Sequence, residues 1–338
     1  MSHRVPFEEM RATIERAMRK AGVPAEKAAV CAEIHTASSA DGVESHGLNR
    51  VPRFIDYVKR GLVDACAEPE IIASKGAVER IDGHLGIGIT NALFAADRAA
   101  ALAKQYGIGC VALKNSTHWM RGGTYAYRTA EQGLVGISWI IAENCMPLWG
   151  SDEESVGNNP LCIGIPREGD PVVLDMAMSQ YAYGKLGVYA AEGKETEFPC
   201  GYDEEGNTTC DPGTVLKTRR IMPTGFWKGS GLALALDLAG TMMSNGICGH
   251  EMDPVTDGTC GGCTQIFIAY DPELFGDIDE LRKKTEDRIK AVNDAHPENP
   301  EKPVQWPGEG TVRRRKQSME LGIHVDEKIW EEVCRLAE

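Results

Sequence analysis

The chain has 338 residues, 42% hydrophobic and 25% charged, enough for two ordinary domains with buried cores, which excludes a disordered chain. A formal net charge of -14, with no basic cluster longer than 313–316, excludes a nucleic-acid binder, whose affinity rests on phosphate contacts. No apolar run approaches the roughly 20 residues of a membrane span, and Glu8 and Glu9 break any signal-peptide pattern, so a cytoplasmic chain is expected.

From the N-terminus, Phe7, Met10, Ile14 and Met18 recur at helical spacing and predict a helix over 6–22, ended by Gly22, Val23 and Pro24. A second, Ala-rich helix over 25–39 runs out at Asp41 and Gly42. A third carries Val51, Phe54, Ile55 and Val58 and stops at Gly61. Residues 62–88 read as strand and loop, and 89–105 as a long amphipathic helix closed by Gly107. The apolar runs 108–113, 134–141, 172–176 and 265–269 suit strands. Residues 201–230 are turn-rich, and 232–243 predict a helix apolar on every face, hence one buried centrally. A charged surface helix is expected over 274–293 and a last short one over 325–336. The run Arg313, Arg314, Arg315, Lys316 reads as a solvated helix face. Helices and strands do not alternate strictly, so the fold class is α/β with an α+β character, not a regular doubly wound sheet.

The eleven cysteines read as mostly reduced. Cys260 and Cys263 form the one pair at zinc or redox spacing, but a structural zinc needs four ligands, and Cys248 and His250 complete the set poorly. No metal is therefore expected. A dinucleotide fingerprint is also missing: Gly83, Gly86 and Gly88 are wrongly spaced for G-x-G-x-x-G, as are Gly107 and Gly109.

Two histidines stand out. His46 lies between Ser45 and Gly47 just past a helix end, where an imidazole with a pKa near 6.5 suits a general acid or else caps the helix. His118 follows Asn115 past a strand end and precedes Arg121, whose guanidinium suits a carboxylate; a turn before a helix explains the same residues. Lys228, after Trp227, opens the apolar helix, where free backbone N–H groups favour phosphate.

Taken in order, 41–50 (DGVESHGLNR), 115–118 (NSTH), 147–150 (PLWG), 158–160 (NNP), 175–179 (DMAMS) and 307–309 (PGE) resemble the malate/L-lactate dehydrogenase superfamily that lacks the Rossmann fold. The stretches 118–123 (HWMRGG), 201–207 (GYDEEGN) and 219–231 (RRIMPTGFWKGSG) resemble a 2-oxo-acid reductase branch of it. The resemblance implies a non-Rossmann NAD(P)-binding domain with a largely antiparallel sheet over 76–279. It also implies a helical domain from both chain ends, 1–75 and 280–338. A homodimer is implied, with cofactor sites near the subunit interface, and no nucleic-acid or membrane partner is expected. The implied activity is reduction of a 2-oxo acid by NAD(H), with NADP(H) as the alternative; malate, lactate, ureidoglycolate or a cyclic imine acid as substrate, or a catalytically silent NAD(P)-binding protein, stay open.

The resemblance carries His46 as proton donor steadied by Ser45, with His118 as the competing acid, and Arg50, Asn115, Arg121 and Asn159 as substrate contacts. Cofactor contacts are implied at Val172, Val173, Leu174, Asp175, Met176 and Ala177, at Trp227 and Lys228, and at Gly308, Glu309 and Gly310. One departure is visible. Where relatives carry a Thr-Asn-Ser stretch this chain has Ile140, Ile141 and Ala142, losing a hydroxyl for which Asn144 is the nearest replacement.

Overall fold

The computed structural model describes residues 3–252 and 258–338. In chain order, β1 (Arg4–Val5), α1 (Phe7–Lys20), α2 (Ala25–Ala40) and α3 (Val51–Lys59) lead into the hairpin β2 (Glu70–Lys75) and β3 (Val78–Asp82). Then follow α4 (Gly88–Tyr106), β4 (Ile108–Ser116), α5 (Gly123–Glu131), β5 (Val135–Ile140), β6 (Asn144–Pro147), β7 (Glu154–Gly157), β8 (Leu161–Ile165) and β9 (Val172–Met176). An outer segment holds α6 (Tyr183–Ala191), β10 (Gly201–Tyr202), β11 (Thr208–Thr209) and α7 (Pro212–Thr218). The chain closes with α8 (Trp227–Ser244), β12 (Cys263–Tyr270), α9 (Ile278–Asn293), α10 (Glu309–Leu321), β13 (Ile323–His324) and α11 (Glu327–Ala337).

The main sheet runs β2-β3-β4-β12-β5-β8-β9. Only the β3–β4 pair is parallel; the others are antiparallel. A parallel pair needs a crossover, and α4 supplies it. That helix presents Ala92, Ala95, Ala96, Ala99 and Ala103 to the sheet. Small side chains let the backbones approach: a Cβ on Gly109 of β4 would lie 2.0 Å from the Ala99 carbonyl oxygen. The largely antiparallel sheet and the α/β class agree with the expectation.

A separate apolar cluster joins Met10, Ile14 and Met18 of α1 to Ile323, Trp330 and Val333 near the C-terminus, and β1 pairs with β13. Helices from both chain ends thus share one core. Burying each such side chain is worth about 1.5–3 kcal/mol.

Two expectations need correction. First, α8 is not buried on all faces. Gly229, Ser230, Ala233, Leu236, Asp237 and Gly240 face inward, while Leu238 is 54% and Met242 86% exposed. Apolar character all round the helix had suggested central burial, yet its outer half meets no other part of the described chain. Second, the basic run on α10 is not simply solvated. Arg315 turns inward and grips Asp41 through Nε and Nη2 at 2.6 and 2.9 Å.

Candidate active site

A cavity of about 450 Å³ opens between the helical cluster and the β9 edge, within the usual size of a ligand site. Ser45 and His46 form its floor, carried on a single helical turn, Glu44–His46, just beyond α2. The turn lies close against α2 because Gly47 has no side chain: a Cβ there would sit 2.1 Å from Ser39 Oγ. The Leu48 N–H donates to that same Oγ at 2.8 Å. Ser45 Oγ is 3.0 Å from His46 Nδ1.

His118 reaches the cavity from the far end of β4. Its ring stacks on that of His46, with centroids 5.6 Å apart and planes 28° from parallel. The Met120 N–H donates to His118 Nδ1 at 2.9 Å, so the neutral ring carries its proton on Nε2, facing away from that contact. The His118 N–H is itself fixed by the Thr259 carbonyl at 2.7 Å. Burial pushes the His118 imidazole well below its ordinary range, and the nearby Arg50 charge adds to this. Burial also lowers His46, followed by Arg50, against a smaller opposing pull from Asp175.

Arg50 stands behind this pair rather than in the cavity wall. Its Nη2 donates to the Gly258 carbonyl at 2.6 Å, and its guanidinium lies 5.9 Å from the Tyr57 ring centre. The 258–260 loop is held in turn by Glu143, whose carboxylate accepts from the Gly258 and Cys260 N–H groups at 2.9 and 2.8 Å.

The remaining sequence candidates divide. Arg121 lines the cavity, but its Nη1 is hydrogen-bonded to Asp41, which is 1% exposed, and its Nε lies 3.7 Å from Asp175. Asn115 is outside the lining; its Nδ2 donates to Asp82 at 2.9 Å. Asn159 is fully buried, its Oδ1 accepting from the Ala142 N–H at 2.8 Å and its Nδ2 donating to the Ala233 carbonyl at 2.9 Å. Asn144, the proposed replacement for the missing hydroxyl, pairs with Gly157 in β6 and does not line the cavity, whereas Ala142 does. The Cys260 side of the loop adds a thiol to the wall. It was missed as a site residue because the sequence offered it only as half of a metal pair. Among the described residues no group of three or more His, Cys, Asp or Glu side chains converges as a metal site.

The opposite wall fits an elongated polar ligand such as a nicotinamide cofactor. β9 is the sheet's edge strand, so one side of its backbone is unpaired. Val173 donates outward to the Pro307 carbonyl at 3.1 Å; by the alternation of antiparallel strands Asp175 presents its backbone on the same side. Val173, Leu174, Asp175 and Ala177 line the cavity, as does Gly308. Gly308 has φ +97, and a Cβ there would sit 3.1 Å from the Val173 carbonyl oxygen, so only glycine keeps this wall open. Val172 and Met176 belong to the strand but do not line the cavity, and Glu309 and Gly310 continue into α10. Glu309 accepts from the Trp306 N–H at 3.2 Å. Trp227 and Lys228 lie at the exposed start of α8, outside the cavity, with Trp227 63% exposed.

A family model described as malate/L-lactate dehydrogenase matches residues 5–334. The chain is 40% identical over 334 residues to the 2,3-diketo-L-gulonate reductase of Pasteurella multocida, covering 98% of this chain and 100% of that protein. It is 39% identical to the protein of the same name from Citrobacter koseri, with the same coverage. Among solved structures, malate dehydrogenase of Pyrococcus horikoshii superposes with a TM-score of 0.90 at 28% identity, covering 99% of this chain and 95% of that one. The delta1-piperideine-2-carboxylate reductase of Pseudomonas syringae gives 0.89 at 26%, covering 99% and 100%.

Proposed function

The chain belongs to the malate/L-lactate dehydrogenase family, and on that footing we propose that it reduces 2,3-diketo-L-gulonate to 3-dehydro-L-gulonate with NADH or NADPH. The observation that carries this reading is the stacked His46–His118 pair facing the open edge of β9 across one cavity. A 2-oxo acid needs a hydride on carbon and a proton on oxygen, and the two walls divide that work.

The reduced nicotinamide, when bound, supplies the hydride. Val173, Leu174, Asp175, Ala177 and Gly308 would hold it along the strand edge, with Val172, Met176, Glu309 and Gly310 supporting that wall. His46 gives its proton to the developing alkoxide, help typically worth about 10²–10⁴-fold. Ser45 Oγ fixes the ring through Nδ1, which leaves Nε2 to face the substrate. His118, with its proton on Nε2, donates a hydrogen bond to the same oxygen or to a neighbouring hydroxyl. Both rings are held neutral in the free site. A bound carboxylate opposes the Arg50 charge and restores the His46 proton, so protonation follows substrate binding. Arg121 is engaged by Asp41, which makes Arg50 the better electrostatic partner for the substrate carboxylate; Asn159 shapes the wall through Ala142, whereas Asn115 is held by Asp82 outside it.

The exposed apolar face of α8 supports a homodimer, and an interface there accounts for Trp227 and Lys228 as cofactor contacts near the subunit boundary. Eleven free cysteines suit a reducing cytoplasm. The test is loss of reduced-cofactor absorbance with 2,3-diketo-L-gulonate. His46→Ala is expected to lower turnover by at least about 10²-fold while NADH still binds. An active His46→Ala enzyme moves the acid role to His118; a wild-type protein that binds NADH without turning over any 2-oxo acid overturns the reading.

A further inference from the structure

We propose that His35 is the positioning residue of the proton donor: its Nδ1–H, donated to the Gly47 carbonyl, holds the Ser45-His46-Gly47 turn at the angle from which His46 meets substrate. The proposal rests on His46 being the donor.

His35 sits on α2 with none of its surface exposed. Its ring packs against Phe54, centroids 6.1 Å apart. A polar ring in such surroundings costs free energy unless its nitrogens are satisfied. Nδ1 lies 3.1 Å from the Gly47 carbonyl oxygen. A carbonyl only accepts, so Nδ1 carries the hydrogen. Nε2 is then a bare acceptor, and it is buried with no hydrogen-bond partner. The side chain therefore keeps an orphaned nitrogen for the sake of one bond, where a leucine or phenylalanine would fill the space without that cost.

The bond is made at the residue next to His46. One turn further along α2, Ser39 takes the Leu48 N–H, and the Gly47 backbone lies against both: a Cβ on it would be 2.8 Å from Ser39 N and 3.0 Å from the His35 carbonyl oxygen. The Gly47–Leu48 peptide just beyond His46 is thus stitched to a rigid helix through both its carbonyl and its N–H. His46 keeps only its own side-chain torsions, and Ser45 constrains those. Placing a catalytic group on a fixed element matters because a displacement near 1 Å can cost about 10²-fold in rate.

The experiment pairs His35→Phe, which keeps a ring and removes the N–H, with His35→Asn, whose amide Nδ2 stands near the Nδ1 position and restores a donor. Turnover, KM for NADH and melting temperature are measured for each. His35→Phe is expected to lose about 10- to 100-fold in kcat at unchanged KM for NADH. His35→Asn recovers most of that kcat although its smaller side chain lowers the melting temperature further. Activity then follows the N–H while stability follows volume. Undiminished kcat in His35→Phe, or an Asn variant no better than Phe, overturns the proposal; if His35→Phe does not fold, His35→Leu takes its place in the comparison. An inactive His46→Ala beside a fully active His35→Phe removes this inference alone, whereas an active His46→Ala removes the donor reading beneath it.

Discussion

His35, His46 and His118 share one neighbourhood, and each is driven toward its neutral form, chiefly by burial. For His35 the pKa falls from the ordinary 6.5 to about 4. An unfolded chain therefore binds more protons than the folded one between those values. Stability is full above about pH 6.5 and is lost as pH falls toward 4. At 1.36 kcal/mol per unit, His35 alone accounts for about 3 kcal/mol of that loss. Urea unfolding of wild type and His35→Phe from pH 7 to 4 checks this: the variant should show the shallower slope, by about one proton, and equal slopes would refute it. Ser45 and His46 were legible in the sequence because an imidazole beside a hydroxyl and a glycine in a loop is chemically suggestive. His35 was not, since a histidine inside an Ala-rich helix carries no local mark of what it faces. Asp41 was likewise read only as a helix end, although Arg121 and Arg315 converge on it from remote segments.

Elements whose sequence periodicity matched one apolar face were legible nearly to the residue. The strand expected over 172–176 is β9, and the run at 108–113 extends to Ser116 as β4. β8 escaped notice because Leu161–Ile165 is short and contains a glycine, packed so closely on α5 that a Cβ at Gly164 would lie 2.1 Å from the Ala126 carbonyl oxygen. The helix α5 is the one that the alternative reading of 118–123, a turn before a helix, anticipated. Asn159 shows how such elements are joined: through its two amide bonds it ties the end of β5 to α8. Asn159→Ala leaves the partly buried Ala142 N–H unpaired, at about 1–3 kcal/mol, and removes the second bond to the Ala233 carbonyl, which keeps its helix partner. Chemical denaturation should show a loss of that order, together with a raised substrate KM because Ala142 lines the cavity. An unchanged unfolding midpoint would contradict the role given to this side chain.

For the whole molecule, the unanswered surface is α8. Hydropathy along a sequence cannot distinguish a helix buried in its own chain from one covered by another copy, which is why this helix was expected inside. On the proposed homodimer, Leu238→Lys together with Met242→Lys is expected to give a monomer in size-exclusion or sedimentation measurements, with weaker NADH binding if Trp227 and Lys228 act at that boundary. A double variant that stays dimeric would place the interface elsewhere. The missing dinucleotide fingerprint is consistent with the proposed cofactor wall, which would use a strand edge and Gly308, brought together by folding and not by a local turn.

The buried Asp41 has a consequence for how the protein is made. It is synthesised with His46 close behind, but Arg315, which grips it 274 residues later, and Gly308, which lines the same cavity, follow only after most of the fold has been made. Until those residues emerge, the aspartate has Arg121 without Arg315 and the cavity lacks the part of its wall at Gly308. The cavity of the nascent chain therefore stays incomplete until residues 308–315 have been made.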